Sequence, residues 1–378
     1  MTTTSVHYTW PTELTELRDV VAAFRARHAD ETTVRALFEA SAPLDSRTWQ
    51  IMSEQLGLAG LIVPEELGGA GAGYEYLAVA MEELGKSLLP SPLLATTTLA
   101  IGTLMRVDDS SSVRERLLPA LAAGQITGTL AYSAEDGHWD PRRPPPVRAT
   151  STSDGWRLDG TVHHVLDGDS ADLVLVAADA EKGPSLFAVE GEVPGLVRSP
   201  MATLDATRRQ ARLEFRGVSV TPVGILGTAA ITVDAVLTRA AVVLAAEQVG
   251  GAQYCLDAAV EYAGIRTQFG RAIGSYQAIK HKCVDMYLDI ESARAAVYYA
   301  ASCLTADAAD AVSAASIAKA LASEAFTRAA TDNIQIHGGI GFTWEHPAHL
   351  YFRRATSTRA LFGDPRRHNE SVAASLLD

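Results

Sequence analysis

The sequence has few cysteines, and none of them lies in a C-x-x-C pair. Cys255, Cys283 and Cys303 are the three cysteines of the 378 residues. Their wide spacing supplies neither a disulfide framework nor a metal site. A reducing compartment fits this usage best, so we expect a cytoplasmic protein.

Basic residues are also scarce relative to acidic ones. The chain has 32 Lys and Arg against 45 Asp and Glu, which gives a net charge of −13. An acidic chain without a basic patch binds nucleic acid poorly, so no nucleic-acid partner is expected. The N-terminal segment has neither a basic n-region nor an apolar h-region, so no signal peptide is expected. No uninterrupted apolar stretch approaches the roughly 20 residues of a membrane helix, so no membrane is expected either.

Complete phosphate-binding and metal-binding motifs are missing too. Residues 85–87 read Gly-Lys-Ser like the end of a Walker A motif, but Ala80 occupies the place of its first glycine. The glycines of residues 68–73 follow Pro-Glu-Glu-Leu rather than a strand, so both segments indicate turns or helix ends. His346 and His349 lack an obvious third ligand and have a proline between them, so no metal site is predicted.

The hydrophobic pattern changes twice along the chain. Apolar residues recur at helical spacing in the first third, and short apolar runs bounded by Gly, Pro or Asp follow from about Gly128. Long Ala-rich helices, about four in number, are indicated from about Ala229 onward. This order predicts an α+β chain. The predicted parts are an N-terminal helical domain, a central β-barrel or β-sandwich domain and a C-terminal four-helix bundle, at residues 1–127, 128–226 and 227–378.

Residues 262–283 carry the clearest functional signal. Arg266, Gln268, Phe269 and Gly270 lie within five positions at the end of a long helical run. A guanidinium can bind a phosphate or pyrophosphate through two hydrogen bonds, and an aromatic ring can lie against a flat ring system. The combination indicates a dinucleotide clamp on a helical scaffold. A helix C-terminus with a cation over its carbonyl groups is the alternative.

A second segment is rich in glycine. Residues 335–347 read Gln-Ile-His-Gly-Gly-Ile-Gly-Phe-Thr-Trp-Glu-His-Pro. Glycines let the backbone approach a ligand closely and expose N–H groups to phosphate. A turn between two helices is the alternative explanation of this segment.

Together these two segments resemble the acyl-CoA dehydrogenase family. The segments at residues 56–69 and 82–86 fit the same family, so the resemblance covers nearly the whole chain. It implies a helical domain, a β-domain and a C-terminal four-helix bundle. It also implies α,β-dehydrogenation of an acyl-CoA substrate, in which a carboxylate removes the α-proton and FAD accepts the β-hydride. Electrons then leave to an electron-transferring flavoprotein.

The resemblance also assigns a cofactor site. Residues that match Arg266, Gln268, Phe269, Gln335 and Gly339 reach across a dimer interface in this family and bind the pyrophosphate and adenosine of the neighbouring subunit's FAD. Two negative charges would there meet a guanidinium and backbone dipoles. The predicted cofactor-binding set also contains Gln277, Ile336, His337 and Gly338.

The β-domain departs from the family pattern. Residues 132–141 keep little of the T-E-P-x-x-G-S-D-like stretch that binds the flavin ring and the acyl-CoA in the family. A W-I-T-like segment, whose threonine bonds near flavin N5, corresponds here to His164-Val-Leu. Leu166 therefore replaces the hydroxyl, and the flavin-ring half of the site is predicted to be eroded.

The catalytic base is also missing. One branch of the family places its glutamate where this chain has Phe362, and another places it near Ala240. Neither residue can take a proton at pH 7. Glu247 and Asp364 are substitute candidates, but a structural role is favoured for both. For Asp364 we expect ion pairs with the two arginines at positions 366 and 367.

This asymmetry favours a heteromer. The chain resembles the base-deficient subunit of α2β2 acyl-CoA dehydrogenases that act on steroid-like CoA thioesters, in which a second acyl-CoA dehydrogenase-like subunit supplies the base. A self-associating homotetramer with Glu247 or Asp364 as base is one alternative. A non-catalytic protein that binds CoA thioesters or partners is another. The related flavin-dependent hydroxylases need little adenosine clamp, so retention of Arg266 and Gln268 argues against them.

Overall fold

The computed structural model describes residues 11–40, 43–108, 113–141 and 143–377. The chain divides into two compact units. One consists of Met1–Ala36, Gly73–Leu89 and Ala241–Asp378, and the other of Leu37–Ala72 and Pro90–Ala240. The second unit thus combines helices and strands. The domain boundaries of the sequence analysis stay a prediction.

The strands of the second unit form one sheet of seven strands. They are β1 (Gly128–Ala131), β2 (Val147–Thr152), β3 (Gly155–Leu166), β4 (Leu173–Ala180), β5 (Gly183–Glu190), β6 (Leu196–Pro200) and β7 (Gln210–Val223). The pairings β4–β2–β3–β7–β5–β4 make a closed ring around buried side chains such as Phe187 and Phe215. The short apolar runs of the sequence, at residues 129–133, 156–159, 171–177, 185–189 and 211–215, overlap β1, β3, β4, β5 and β7. No such run predicts β2, which is mostly polar and exposed, or β6, which pairs only with β7.

Helices precede the sheet. They are α1 (Thr12–His28), α2 (Glu31–Ala40), α3 (Ser46–Gln50), α4 (Tyr74–Gly85), α5 (Gly102–Arg106) and α6 (Val113–Ala122), with π-helical turns at Ile51–Gln55 and Ala95–Ile101.

Five helices follow the sheet in the described residues, where the sequence indicated about four. They are α7 (Ala229–Ile265), α8 (Gln277–Thr305), α9 (Ala311–His337), α10 (Ala348–Ala360) and α11 (Pro365–Leu377). The additional break separates α10 from α11. It falls at Phe362 and Gly363, whose φ angles of 60° and 103° lie outside the helical region. The predicted fold class, helical then β-rich then helical, is confirmed.

Helices α4 and α7 pack closely enough to require glycine. A Cβ atom on Gly85 would lie 2.1 Å from the carbonyl oxygen of Glu247, and one on Gly250 would lie 1.8 Å from that of Glu82. Both distances are far below any van der Waals contact, so the two backbones touch at these positions. This contact places Glu247 inside the first unit.

Among the described helices, α7 is long and apolar enough to cross a membrane. Charged residues interrupt its apolar run, so the sequence alone did not indicate it. The mean hydropathy of its most apolar 18 residues is 1.8, and 67% of that stretch is buried inside the protein. The core helix of a globular domain has the same properties. One such helix is weak evidence for a membrane span.

Candidate functional site

The Arg266 segment forms a short β-hairpin directly after α7. Strand β8 (Thr267–Gln268) pairs with β9 (Arg271–Ala272), and Gln268 lies opposite Arg271. The two turn residues, Phe269 and Gly270, have φ angles of 52° and 81°. Positive φ at both central residues is the pattern of a type I′ turn. The predicted clamp segment is therefore a hairpin that follows α7 rather than only the C-terminus of that helix.

The tip of this hairpin presents apolar surface to the outside of the chain. Phe269 is 91% exposed. Its positive φ angle is also unfavourable for a residue other than glycine. The N–H of Ile273 donates to the carbonyl oxygen of Arg266 at 2.8 Å, and the Tyr276 hydroxyl donates to that of Gln268 at 3.1 Å. The hairpin is thus held firmly while its largest ring is left uncovered within the chain.

The second predicted segment lies at the end of α9. Gln335, Gly338 and Gly339 are exposed, whereas Ile336 and His337 are buried. The side chains of Ile336 and His337 therefore lie inside the chain, whereas the other three residues are open to solvent. Gln277, also predicted to bind cofactor, is the exposed first residue of α8.

The backbone at Gly339 gives no reason internal to the chain for glycine. Gly338 has a φ of 65°, which favours glycine, but the φ of Gly339 is not in the left-handed region. A Cβ atom on Gly339 would meet no heavy atom within 4 Å. A glycine that neither the local conformation nor the packing requires is consistent with close approach by another molecule.

In the β-containing unit, side chains from the segments predicted to hold the flavin ring contact other residues of that unit. Trp139 is 4% exposed, its ring lies edge-on to Tyr132 at 6.3 Å, and its Nε1 donates to Asp234 at 2.8 Å. His164 has a φ of 56°, and its Nδ1 lies 2.9 Å from the side-chain oxygen of Gln210. Trp139 and Gln210 were not singled out in the sequence.

His164 is half-buried and lies beside Gly137. A Cβ atom on Gly137 would stand 3.2 Å from the His164 ring. Leu166, at the place of the family threonine, is 2% exposed, and its carbonyl oxygen accepts the Thr129 hydroxyl at 2.7 Å. The exposed guanidinium and aromatic ring of the hairpin have chemistry that suits the adenosine and pyrophosphate of FAD, whereas Leu166 has no hydroxyl to donate to a flavin ring.

Glu247 is part of a buried ion pair. Its Oε1 lies 2.6 Å from a guanidinium nitrogen of Arg354, and the two side chains are 6% and 2% exposed. The next residue, Gln248, donates to the Thr358 hydroxyl at 3.1 Å. Ala240, near the place of one family base, is fully buried. The Glu247 carboxylate is thus held inside the protein by a permanent cation.

Asp364 interacts with the backbone of α11. Its side chain accepts the N–H of Arg367 at 2.9 Å, immediately before Pro365 begins the helix. An N-cap carboxylate followed by proline is a common helix start. The expected side-chain pair with Arg366 is wrong, because that guanidinium binds Glu370 at 2.9 Å, one helical turn away.

Two residues that the sequence analysis missed hold the connection between α10 and α11, which carries Phe362. Lys319 is fully buried, and its Nζ donates to the carbonyl oxygens of Thr358 and Gly363 at 3.1 and 3.2 Å. Burial lowers the pKa of Lys319 to about 7. His368 Nε2 lies 3.1 Å from the Phe362 carbonyl oxygen. The sequence signal for burial of Lys319 is that it is a lone lysine in the Ala-rich stretch that forms α9.

The stability of the chain should depend on pH through His368. Burial first, and then the Lys319 cation, lower the pKa of His368 to about 4. The folded state therefore binds this proton less readily than the unfolded state. The contribution of neutral His368 to the free energy of unfolding is complete above the ordinary pKa of 6.5. It is lost as the pH falls towards 4, by at most about 1.4 kcal/mol per pH unit. Urea unfolding between these pH values should show a steeper loss for the natural chain than for His368→Gln. Equal slopes would contradict the assignment.

The histidines near residue 340 form ring contacts. His346 lies against His337, with ring centroids 4.2 Å apart, and His349 lies edge-on to Trp344 at 4.6 Å. Across the described ranges, no group of three His, Cys, Asp or Glu side chains could hold a metal ion.

Comparison with known proteins agrees with this geometry. Residues 11–125 match the model of the acyl-CoA dehydrogenase N-terminal domain, and residues 229–377 match that of the C-terminal domain. Acyl-CoA dehydrogenase IpdE2 of Mycobacterium tuberculosis is 37% identical over 362 residues, which cover 94% of this chain and 95% of the relative.

Two solved structures are similar over nearly the whole chain. The steroid acyl-CoA dehydrogenase Tcur3481–Tcur3483, as its G363A variant, gives a TM-score of 0.85 at 29% identity and covers 97% of this chain and 98% of its own. The ChsE4–ChsE5 complex of M. tuberculosis gives 0.88 at 27% identity and covers 99% of both chains. The chain belongs to the acyl-CoA dehydrogenase family, whose members are FAD-dependent oxidoreductases.

Proposed function

We propose that this chain is one subunit of a heteromeric acyl-CoA dehydrogenase. It would bind the adenosine and pyrophosphate of an FAD whose flavin ring lies in a second, acyl-CoA dehydrogenase-like subunit. That subunit would also supply the base. The observation that carries the proposal is a contrast in exposure, because the clamp residues are exposed whereas Trp139 and Leu166 of the predicted flavin-ring region are buried.

The clamp half has the right chemistry for a nucleotide. Arg266 and Gln268 lie on an exposed hairpin, and Phe269 at its tip is uncovered. Arginine binds phosphate oxygens through two parallel N–H donors, and an aromatic ring can stack on a base. Gly339 has no side chain, so a pyrophosphate could approach the backbone N–H groups of this turn closely. Each of these features faces away from the chain's own core.

The other half lacks the groups that dehydrogenation needs. FAD, when bound, accepts the hydride from the β-carbon of the thioester. Proton removal at the α-carbon requires a base, and its absence costs roughly 10²–10⁴-fold in rate. Phe362 and Ala240 have no proton-accepting group, and Glu247 is bound to Arg354 in the interior. Asp364 caps α11. These contacts support a base that is supplied by a second subunit.

Two of the similar structures support a two-subunit enzyme. One is the ChsE4–ChsE5 complex, and the other is the steroid acyl-CoA dehydrogenase Tcur3481–Tcur3483. By analogy, we propose a bulky, steroid-like CoA thioester as substrate and an electron-transferring flavoprotein as electron acceptor.

Flavin stoichiometry tests the proposal. The chain should be purified alone and after co-expression with the acyl-CoA dehydrogenase-like product of a neighbouring gene, and FAD and native mass measured. We expect almost no flavin on the chain alone and about one FAD for every two chains in a heterotetramer. One FAD per chain in a homotetramer, with activity lost in Asp364→Asn, would instead identify a self-sufficient enzyme. Absence of FAD from every assembly would favour a non-catalytic binding protein.

A further inference from the structure

Three aromatic rings lie in a column beside the predicted clamp. The rings of Tyr262 and His337 are 4.3 Å apart with an interplanar angle of 27°, and those of His337 and His346 are 4.2 Å apart at 47°. We call these three residues the ring stack. All three lie in the unit that contains α8 and α9.

The ring stack joins the two separate segments of the clamp. Tyr262 lies in the last turn of α7, and its carbonyl oxygen accepts the N–H of Arg266 at 2.9 Å, so the hairpin starts from this turn. His337 is the last residue of α9, directly before Gly338 and Gly339. The 4.3 Å contact between Tyr262 and His337 is thus a direct tertiary link between the base of the hairpin and the glycine turn.

His337 is fixed from several sides. Its Nδ1 lies 2.9 Å from the Asn333 carbonyl oxygen, so Nδ1 carries the proton and donates to one of the last carbonyl groups of α9. The ring is 6% exposed, with Tyr262 and His346 against it. Close packing of flat rings restricts both the position and the tilt of the last helical turn.

We propose that His337 is a positioning residue for the nucleotide clamp. Its ring sets the spacing between the Arg266 hairpin and the Gly338–Gly339 turn, so that both segments bind one FAD. His337 is too deeply buried to contact the nucleotide itself. The inference rests on the proposed function and deepens it, because it assigns the pre-organisation of the clamp to one buried side chain.

Removal of the ring should loosen the two segments relative to each other. A binding site whose groups are mobile in the free protein has a lower affinity, because the free energy needed to order them reduces the free energy of binding. His337→Ala should therefore raise the Kd of the assembled heteromer for FAD by about 10-fold or more. His337→Phe keeps a flat ring and loses only the hydrogen bond, so its Kd should stay within about 3-fold of the natural value.

Phe326→Leu provides the control for a general loss of stability. Phe326 is buried in the same helix, and its ring packs on Gly251, away from the ring stack. This variant should lower Tm without changing the Kd for FAD. FAD affinity would be measured by flavin fluorescence on the co-purified complex, with Tm of every variant recorded alongside.

The outcomes separate this inference from the proposed function. If His337→Ala binds FAD like the natural protein, or if Phe326→Leu weakens FAD binding equally at the same Tm, the positioning role is wrong. If Arg266→Gln leaves FAD binding unchanged as well, the clamp itself is wrong. Weakened binding in Arg266→Gln with normal binding in His337→Ala would overturn only the role of the ring stack.

Discussion

Replacing Glu247 by glutamine should lower the free energy of unfolding by about 3–5 kcal/mol. The change leaves the Arg354 guanidinium buried without its carboxylate, 2.6 Å away in the natural protein, with both side chains less than a tenth exposed. An unpaired charge in the interior is much more costly than an unpaired charge at the surface. Urea denaturation of the purified chain measures the effect directly.

A double substitution tests whether the loss of the buried ion pair causes the destabilisation. Glu247→Leu combined with Arg354→Met replaces both charges by apolar side chains, so the double variant should be more stable than Glu247→Gln alone. Asp364→Asn serves as a surface comparison, because asparagine caps a helix about as well as aspartate and should cost less than about 0.5 kcal/mol. If Glu247→Gln keeps full stability but abolishes dehydrogenase activity, Glu247 is the base and the heteromer is unnecessary.

Local sequence signals were sufficient for most of the fold. The change from helical to strand-like segments and back to helical ones located β1, β4 and α7, in which buried residues predominate. Strand β2 reads Val-Arg-Ala-Thr-Ser-Thr, and only two of its six residues are buried. Its existence depends on pairing with β3, a long-range interaction that a local pattern does not contain.

The site was harder to predict than the fold. Arg266 and Phe269 were identifiable because their residue types and spacing suit a nucleotide, but the hairpin that carries them depends on φ angles at two adjacent residues. The roles of Lys319 and His337 come from tertiary contacts, with α10 for the first and with Tyr262 for the second. A lone lysine in an Ala-rich stretch marks a candidate for burial, but the local sequence does not identify the groups that Lys319 or His337 contacts.

Replacing Arg266 by glutamine should weaken FAD binding of the heteromer by about 10- to 100-fold. Hydrogen bonds to a charged group contribute about 1.5–3 kcal/mol, and the substitution removes the charge and the paired donors. The matched control is Arg271→Gln, the same substitution on the paired strand of the hairpin, where the guanidinium lies 4.0 Å above the Tyr276 ring. FAD titration of both complexes, at one salt concentration, compares them.

The variant that loses FAD affinity identifies the arginine that contacts the nucleotide. If the nucleotide binds at the hairpin through Arg266, Arg271→Gln should change the Kd for FAD by less than about 3-fold. Equal losses in both variants would mean that the net charge of the hairpin matters and that no directed contact exists. Gly339→Ala adds a test free of charge effects, because its methyl group meets nothing within 4 Å in the chain. It should leave Tm unchanged and weaken FAD binding, since only a molecule from outside the chain can collide with that methyl group.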